Sequence, residues 1–368
     1  MKIVIAPDSF KGSASSIEIA EWIEKGILSV IPNCETVKIA VGDGGEGTLD
    51  AAITAGFTPR EISVQGPTNK TVQSKFGLHG TTALIELAQA SGLSQLPENK
   101  LAPLTATSYG TGELIRAALD QGATTIILAV GGSACTDAGA GALQSLGARL
   151  LDTHGQEIEL GGAALSQCHE IDLSQLDSRI ANTEFILASD VTNPLLGKTG
   201  AARVYAPQKG ASSSDVEILE KAITHFSHLA GATHINTSGA GAAGGFGYMA
   251  LTFLNAQPRS GIAMVLDLVH FEKHIQGADL IITGEGTFDS QSLSGKAPIG
   301  ILEIAIQQSI PVALICGQAK LNSSDKIVNG FRSISALHDF EADIEKCIAE
   351  PGPIIEKISA AIAKELIS

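Results

Sequence analysis

The chain has 368 residues, of which 44% are hydrophobic and only 4% aromatic, and it carries a formal net charge of −15. This length favours two domains, while the few aromatic residues and the acidic balance argue against nucleic-acid binding. An anionic substrate would have to be bound by local Lys, Arg and backbone N–H groups, because the overall charge repels it.

The five cysteines show no CxxC spacing, which indicates reduced thiols in a cytosolic protein and argues against a zinc site. The apolar run at residues 3–6 is far too short for a signal peptide. No segment approaches the roughly 20 apolar residues that a membrane helix needs. We therefore expect a soluble cytoplasmic protein, monomeric or homodimeric, that binds neither membrane nor nucleic acid.

The first 60 residues alternate between predicted strands and helices. Residues 2–6 and 36–41 are predicted strands, and a helix with apolar residues at helical spacing begins between them, after Ser13 or Ser15. A glycine-rich loop then leads into a predicted helix over residues 48–55. This βαβα order is typical of a parallel sheet with right-handed crossovers.

The pattern changes near residue 60. Strands predicted over residues 60–65, 71–78 and 81–87 are separated only by short turns, which indicates antiparallel hairpins. The other elements predicted in this middle region are helices over 112–121, 138–146 and 248–254 and strands over 125–130 and 185–188.

The alternation of strand and helix returns from about residue 258. The predicted elements there are strands over 279–283, 312–316 and 332–336 and helices over 297–308 and 353–366. The simplest arrangement is an α/β fold with two α/β domains and an active-site cleft between them. Residues 1–59 and 256–368 would form a discontinuous, Rossmann-like parallel-sheet domain, and residues 60–255 an inserted mixed α/β domain. A contiguous split near residue 200 is the alternative layout.

Five of the predicted strands end at loops that combine polar or acidic residues with glycine or a tight turn. These loops are residues 7–12, 42–48, 131–139, 189–193 and 284–289. Ligands of open α/β sheets bind outside the carboxyl ends of the strands. Glycine lets backbone N–H groups approach an anion, and carboxylates suit a hard cation such as Mg²⁺. Phosphate together with Mg²⁺ is the simplest ligand that needs both.

Phosphoryl transfer requires positioning, magnesium, donors for the phosphoryl oxygens and a carboxylate that orients or deprotonates the attacking hydroxyl. The candidate catalytic residues are Asp190, Asp8, Lys11 and Lys296. The candidate nucleotide-binding residues are Gly42, Gly44, Gly45, Gly47, Gly131, Gly132, Ser133, Asp137, Gly284 and Gly286. The candidate magnesium ligands are Asp43, Glu46, Glu285 and Asp289.

Structural explanations remain open for several of these residues. Asp8 could cap a helix, Asp190 could form an Asx-turn before Pro194, and the glycines of residues 131–141 could serve close helix–sheet packing. Residues 197–199 end like a phosphate-binding P-loop, but the first glycine that such a loop requires is missing. Residues 239–244 fit G-x-G-x-x-G without a convincing strand before them, so a phosphate-contacting or hinge loop is favoured over dinucleotide binding.

Taken together, five segments resemble the glycerate kinase family of the bacterial glycerate 2-kinase type. They are, in chain order, residues 1–13, 41–48, 130–141, 188–195 and 284–289, and the similarity covers nearly the whole chain. The resemblance implies two α/β domains with a cleft and phosphorylation of D-glycerate with ATP and Mg²⁺. It further implies 2-phosphoglycerate as the product, with 3-phosphoglycerate as the alternative.

For such a kinase, Asp190 is our first choice for the base that accepts the hydroxyl proton of glycerate, and Asp8 is the second. The glycine loops would hold the ATP phosphates, and Lys11 and Lys296 would offset negative charge. The glycerate carboxylate needs a cation, which Arg60, Arg203 or Arg259 could supply. An NAD(P)-dependent oxidoreductase acting on a small hydroxy acid is the alternative function, and a non-catalytic regulator that binds a nucleotide or a sugar acid is the third.

Overall fold

The computed structural model describes residues 1–10, 12–42, 44–97, 100–290, 292–294, 296–321 and 330–368. The chain divides into two units. Unit 1 comprises Met1–Asp43, Asp50–Ala55 and Ser260–Ser368, and unit 2 comprises Gly44–Leu49 and Gly56–Arg259.

The strands are β1 (Lys2–Pro7), β2 (Glu35–Lys38), β3 (Thr58–Gln65), β4 (Thr71–His79), β5 (Thr82–Glu86), β6 (Thr125–Ala129), β7 (Arg149–Leu151), β8 (Glu170–Asp172), β9 (Glu184–Ala188), β10 (Gln257–Arg259), β11 (Leu280–Phe288), β12 (Val312–Ala319) and β13 (Ser333–Ala336). The helices are α1 (Ser16–Val30), α2 (Thr48–Thr54), α3 (Ala88–Ser91), α4 (Tyr109–Asp120), α5 (Ala140–Ser145), α6 (Ala201–Tyr205), α7 (Ser213–Leu229), α8 (Ala242–Phe253), α9 (Gly261–Leu268), α10 (Phe271–His274), α11 (Ala297–Gln307), α12 (Ile344–Ala349) and α13 (Pro351–Ile367). Short 3-10 helices cover Leu93–Gln95, Gly162–Gln167, Ser178–Asn182, Pro207–Lys209, Ser292–Ser294 and Leu337–Asp339.

Unit 1 is built on a parallel sheet with the strand order β13-β12-β11-β1-β2. The central strands are continuous apolar runs, as expected where helices cover both faces of a parallel sheet. Helix α1 begins at a capping box in which Ser15 accepts from the Glu18 N–H and Glu18 accepts from the Ser15 N–H. Its apolar side, with Ile19 and Ile23, packs in one core with α13.

Unit 2 is built on a mixed sheet with the strand order β10-β9-β6-β5-β4-β3. Strands β5, β6, β9 and β10 are parallel, whereas β3 and β4 pair antiparallel and β4 pairs antiparallel with β5. Strands β7 and β8 form a separate antiparallel pair. The loops after β6 and β9, which the sequence singled out, follow strands in the parallel part of this sheet. Antiparallel β3 and β4 lie at the other end of the strand order.

The α/β fold class is confirmed, with a parallel sheet in one unit and a mixed sheet in the other. The hairpin character of the region after residue 60 is also confirmed by the antiparallel pairing of β3, β4 and β5. Within the described ranges, no helix combines the length and apolar character needed to cross a bilayer.

Several element boundaries were predicted wrongly. Residues 284–288 were expected to be a loop, but they continue strand β11 as far as Phe288. Gly284 permits this, because a Cβ there would lie 2.6 Å from the carbonyl oxygen of Ile315 on the neighbouring strand β12. Strand β2 ends at Lys38 rather than at residue 41. Helix α7 was not predicted, although Ser212 and Asp215 form a capping box at its start.

Candidate active site

Four parallel strands of unit 2 end at the same level. The register aligns Glu86 of β5, Ala129 of β6, Ala188 of β9 and Arg259 of β10 in one row across the sheet. The loops after β6 and β9 therefore leave the sheet side by side. This is the edge at which open α/β sheets bind their ligands.

The two glycine loops predicted to bind phosphate lie against each other in unit 2. The Gly131 N–H donates to the Gly44 carbonyl over 3.3 Å. A Cβ added to Gly131 would collide with the Cα of Gly45, and one added to Gly132 would lie 2.9 Å from Glu46 Oε1. Gly132 also has φ +71°, a region that favours glycine. The approach of these two loops therefore requires residues without side chains.

Glu86 anchors the segment that follows the first glycine loop. Its side chain is 2% exposed, and one carboxylate oxygen accepts from the Leu49 N–H over 3.0 Å in the first turn of α2. The Gln89 side chain donates to the other carboxylate oxygen, over 3.4 Å. Sequence reasoning missed Glu86, because it lies within the strand predicted over residues 81–87 and has no glycine beside it.

Asp137 holds the loop after β6 from within. It is fully buried, and its carboxylate accepts from the N–H and hydroxyl groups of Ser108, both over 2.8 Å. The N–H groups of Gly139 and Gly141 donate to it over 3.1 and 3.3 Å. With these bonds the Asp137 carboxylate fixes the starts of α4 and α5. Asp137 was predicted to bind the nucleotide, and the structure places it inside the loop, bonded to the protein itself.

Ser133 is held by a lysine that the sequence did not single out. Lys209 Nζ donates to Ser133 Oγ over 2.8 Å and to the Cys135 carbonyl over 2.6 Å. Burial lowers the pKa of Lys209 to about 8, although the nearby Cys135 and Asp137 act in the opposite direction. No local sequence signal separates Lys209 from a solvated lysine. Burial raises the pKa of the Cys135 thiol far above its ordinary range, as expected of an inert thiol.

Asp190 follows strand β9 at the same edge of the sheet. It is half-buried, and the N–H of the preceding Ser189 donates to the Arg259 carbonyl over 3.1 Å. Arg259 is thus the candidate arginine beside the Asp190 segment, a neighbour that the sequence could not reveal. Arg203 instead forms two hydrogen bonds with Glu217, of 2.7 and 3.2 Å, and Arg60 lies on antiparallel β3.

A second group of candidate residues lies in unit 1, around the end of β1 and the neighbouring residues of β11. The Asp8 N–H donates to the Gly284 carbonyl over 2.8 Å. Asp8 and Glu285 are 4% and 5% exposed, and Lys296 Nζ lies 4.0 Å from Glu285 Oε2. Burial and the Glu285 charge together raise the pKa of Cys316 on β12 to about 12. The structure thus brings Lys296 to Glu285 and bonds Asp8 to Gly284, the residue before Glu285, within unit 1.

The remaining candidates are distributed over both units. Gly286 lies in β11 close to Gly317, at which a Cβ would lie 2.5 Å from the Gly286 carbonyl oxygen. Asp289 follows β11, and its N–H donates to Ser292 Oγ over 3.1 Å. Gly42 is buried in unit 1, and Gly47, with φ +93°, precedes α2. Lys11 and Asp43 lie outside the described residues.

Magnesium binding stays a prediction. Among the described residues, no three His, Cys, Asp or Glu side chains form a group that could hold a metal ion. Asp43, one of the four predicted ligands, does not belong to that part of the chain. Glu46 and Glu285, two of the other three, lie in different units.

The dinucleotide-binding alternative lacks its structural context. Residues 231–241 form turns without a strand, so the glycines of 239–244 do not follow a strand as the Rossmann motif requires. Instead, Ala243, Gly244 and Gly245 adopt left-handed backbone angles at the start of α8. The Gly244 carbonyl accepts from the Ala138 N–H over 3.0 Å, so this segment packs against the loop after β6.

Comparison with known proteins identifies the family of this chain. The sequence model of the glycerate kinase family matches residues 3–367. Glycerate kinase of Bacillus subtilis (strain 168) is 44% identical over 374 residues, which cover 100% of this chain and 98% of that protein. Glycerate 2-kinase of Escherichia coli (strain K12) is 46% identical over 324 residues, which cover 86% and 85%.

A solved structure extends the similarity to three dimensions. The crystal structure of a protein from Salmonella typhimurium LT2, provisionally described as glycerate kinase 2, has a TM-score of 0.82 at 41% identity. The match covers 100% of this chain and 98% of that one. These matches confirm the resemblance recognised in the sequence, and the chain belongs to the glycerate kinase family of phosphotransferases.

Proposed function

We propose that this chain transfers a phosphoryl group from ATP to D-glycerate and that the product is 2-phosphoglycerate. Membership of the glycerate kinase family supports the reaction. The name of the Escherichia coli relative, glycerate 2-kinase, supports the position of transfer. The acidic composition and five buried, free cysteines support a cytoplasmic location.

The contact between the two glycine loops carries the proposal. Gly131 and Gly132 lie so close to residues 44–46 that side chains would not fit, so the two loops meet backbone against backbone. The Gly131 N–H is used in this contact, where it donates to the Gly44 carbonyl, and the amides for a ligand would come from the neighbouring residues of the two loops. Backbone N–H groups grouped in this way are suited to the oxygens of a phosphate chain. We therefore assign the ATP phosphates to these loops.

Asp190 is our candidate for the base. It is a half-buried carboxylate just beyond β9, one strand away from the glycine loop after β6. In that position it would accept the proton of the attacking glycerate hydroxyl. Arg259, which is exposed at the end of neighbouring β10, would bind the carboxylate of glycerate. Asp137 would act by positioning the loop, since its carboxylate is bonded to the protein itself.

The unit 1 group would manage the negative charge of the reaction. Magnesium, when bound, would neutralise phosphate oxygens, and the unit 1 carboxylates of Glu285 and Asp289 are oxygen donors of the kind it takes. Lys296 would contact the transferred phosphoryl group, and Asp8 is the second candidate for the base. We propose that the two units correspond to the two domains of the enzyme.

The product distinguishes the possible reactions. With ATP, Mg²⁺ and D-glycerate, ADP release should depend on both glycerate and the metal. Enolase added without a mutase should convert the product directly, because only 2-phosphoglycerate is its substrate. A product that enolase leaves untouched would move transfer to the 3-hydroxyl. Nicotinamide reduction without ADP release would favour the oxidoreductase instead.

Replacing Asp190 tests its role. We expect Asp190→Asn to keep the fold and glycerate binding but to lower kcat by roughly 10²-fold or more, the scale of general-base catalysis. Glu170→Gln, an exposed carboxylate on β8, is the matched control and should leave kcat unchanged. A kcat close to that of the original protein would remove Asp190 from the role of base and leave Asp8 as the candidate.

A further inference from the structure

Lys209 is a buried cation behind the loop that follows β6. It ends the 3-10 helix Pro207–Lys209 between α6 and α7, and it is 2% exposed. Burying an ammonium group is costly unless it is well bonded. Packing alone does not account for lysine at this position, because an apolar side chain would avoid that cost.

The side-chain ammonium of Lys209 donates to the β6–α5 loop. Its Nζ donates to the hydroxyl of Ser133 over 2.8 Å and to the carbonyl of Cys135 over 2.6 Å. Both acceptors are uncharged oxygens, so neither contact neutralises the ammonium. Asp137 also attracts it electrostatically from the same loop. Lys209 thus places a positive charge directly behind residues 133–135.

The backbone around Ser133 is held from the other side. The Leu93 N–H donates to the Gly132 carbonyl over 2.9 Å, and the Ala134 N–H donates to the Ser91 carbonyl over 2.8 Å. These bonds tie the loop to α3 and to the 3-10 helix Leu93–Gln95 that follows it. Lys209 adds support at residues 133–135, through the Ser133 side chain and the Cys135 carbonyl.

We propose that Lys209 is a positioning residue for the phosphate groups of the nucleotide. It holds Ser133 and Cys135 and so fixes the loop at residues 131–133 beside the other glycine loop, whose Gly44 carbonyl accepts from the Gly131 N–H. It also adds a positive charge behind residues 133–135, which acts strongly because the surroundings exclude water. The inference rests on the proposed assignment of the ATP phosphates to this loop.

The charge of Lys209 should change in weakly alkaline solution. Burial lowers its pKa to about 8, and the titratable groups that face it, Cys135 and Asp137, only partly offset this. The amine is then largely neutral above that pH. ATP affinity should therefore fall as the pH rises through about 8, whereas a purely structural lysine would leave ATP affinity unchanged.

The experiment compares the original protein with Lys209→Met. Calorimetry gives the Kd for ATP across about pH 7 to 9, and steady-state assays give KM for ATP, KM for D-glycerate and kcat. We expect Lys209→Met to raise the ATP Kd and KM by about tenfold or more, as for loss of a charged hydrogen-bond partner. The KM for D-glycerate should stay unchanged. In the variant, the ATP Kd should no longer change as the pH passes through about 8. Ile223→Val in the buried side of α7 is a control for a small packing change away from the loop.

An unchanged ATP Kd and pH profile in folded Lys209→Met would overturn the inference. If that variant fails to fold, the original protein still decides: an ATP Kd that is flat across this pH range overturns the proposal. Ser133→Ala, which removes one acceptor, should also raise the ATP Kd, and an unchanged Kd would count against it. Absence of any glycerate phosphorylation by the original protein would refute the proposed function instead.

Discussion

Gly131→Ala tests the contact between the two glycine loops. The added Cβ would lie closer than 3.0 Å to the Gly45 Cα, a separation that real Cβ atoms essentially never show. The obstacle is backbone, so one loop must move by about 1 Å, at a cost of about 1–3 kcal/mol for overpacking. The φ of Gly131 is not in the left-handed region, so this steric effect stands alone.

The consequence should appear in both stability and kinetics. Each kcal/mol lost should lower Tm by about 1–2 °C, because the unfolding entropy grows with chain length and this chain has 368 residues. A displacement of about 1 Å in a group that positions substrate can cost about 10²-fold in rate. We therefore expect kcat/KM for ATP to fall by about 10- to 100-fold, measured in the ADP-release assay with thermal melts recorded in parallel.

Gly155→Ala is the matched control for this prediction. Gly155 has φ +74° and nothing within 4 Å of an added Cβ, in the exposed turn after β7. Placing alanine there costs about 1–2 kcal/mol of backbone strain. It should therefore lower Tm without changing kcat/KM for ATP. A Gly131→Ala protein that melts and turns over like the original would refute the close approach of the loops and the phosphate site built on it.

Two further predictions concern the buried charges of unit 2. Asp137→Asn places an amide NH₂ toward the donors of Ser108, Gly139 or Gly141. We therefore expect the free energy of unfolding in urea to fall by about 1–3 kcal/mol. An unchanged urea midpoint would contradict these hydrogen bonds to the Asp137 carboxylate. Burial lowers the pKa of Lys209 to about 8 from 10.5, so between these values the unfolded chain binds the proton more tightly than the folded protein. The free energy of unfolding should then rise with pH across this window, and Lys209→Met, measured by urea unfolding at several pH values, should remove that rise.

Most elements were predictable because their patterns are local. The apolar run of β1, the helical spacing in α1 and the short turns between β3, β4 and β5 are visible in a few neighbouring residues. Strand β11 was predicted too short because its glycines are typical of a loop. Its continuation depends on pairing with β12, which lies further along the chain.

The candidate residues divide in the same way. Glycines and carboxylates after strands marked the loops at residues 131–133 and 189–190, because the carboxyl ends of parallel strands carry ligands. The same pattern could not identify Glu86 or Lys209. Glu86 ends strand β5, and Lys209 ends the 3-10 helix Pro207–Lys209. Only their burial and their hydrogen bonds to distant segments mark them as candidate functional residues.

The amino-acid sequence by itself determined the alternation of strands and helices, the glycine and carboxylate content of the loops, and the family. These properties depend on residue types and their spacing along the chain. Tertiary structure alone decided that Gly131 lies against Gly45 and that Lys209 is buried behind Ser133. The physical reason is that strand register and packing between distant segments determine which residues are in contact and which are removed from water. Residues of the same type can therefore differ in charge and in role.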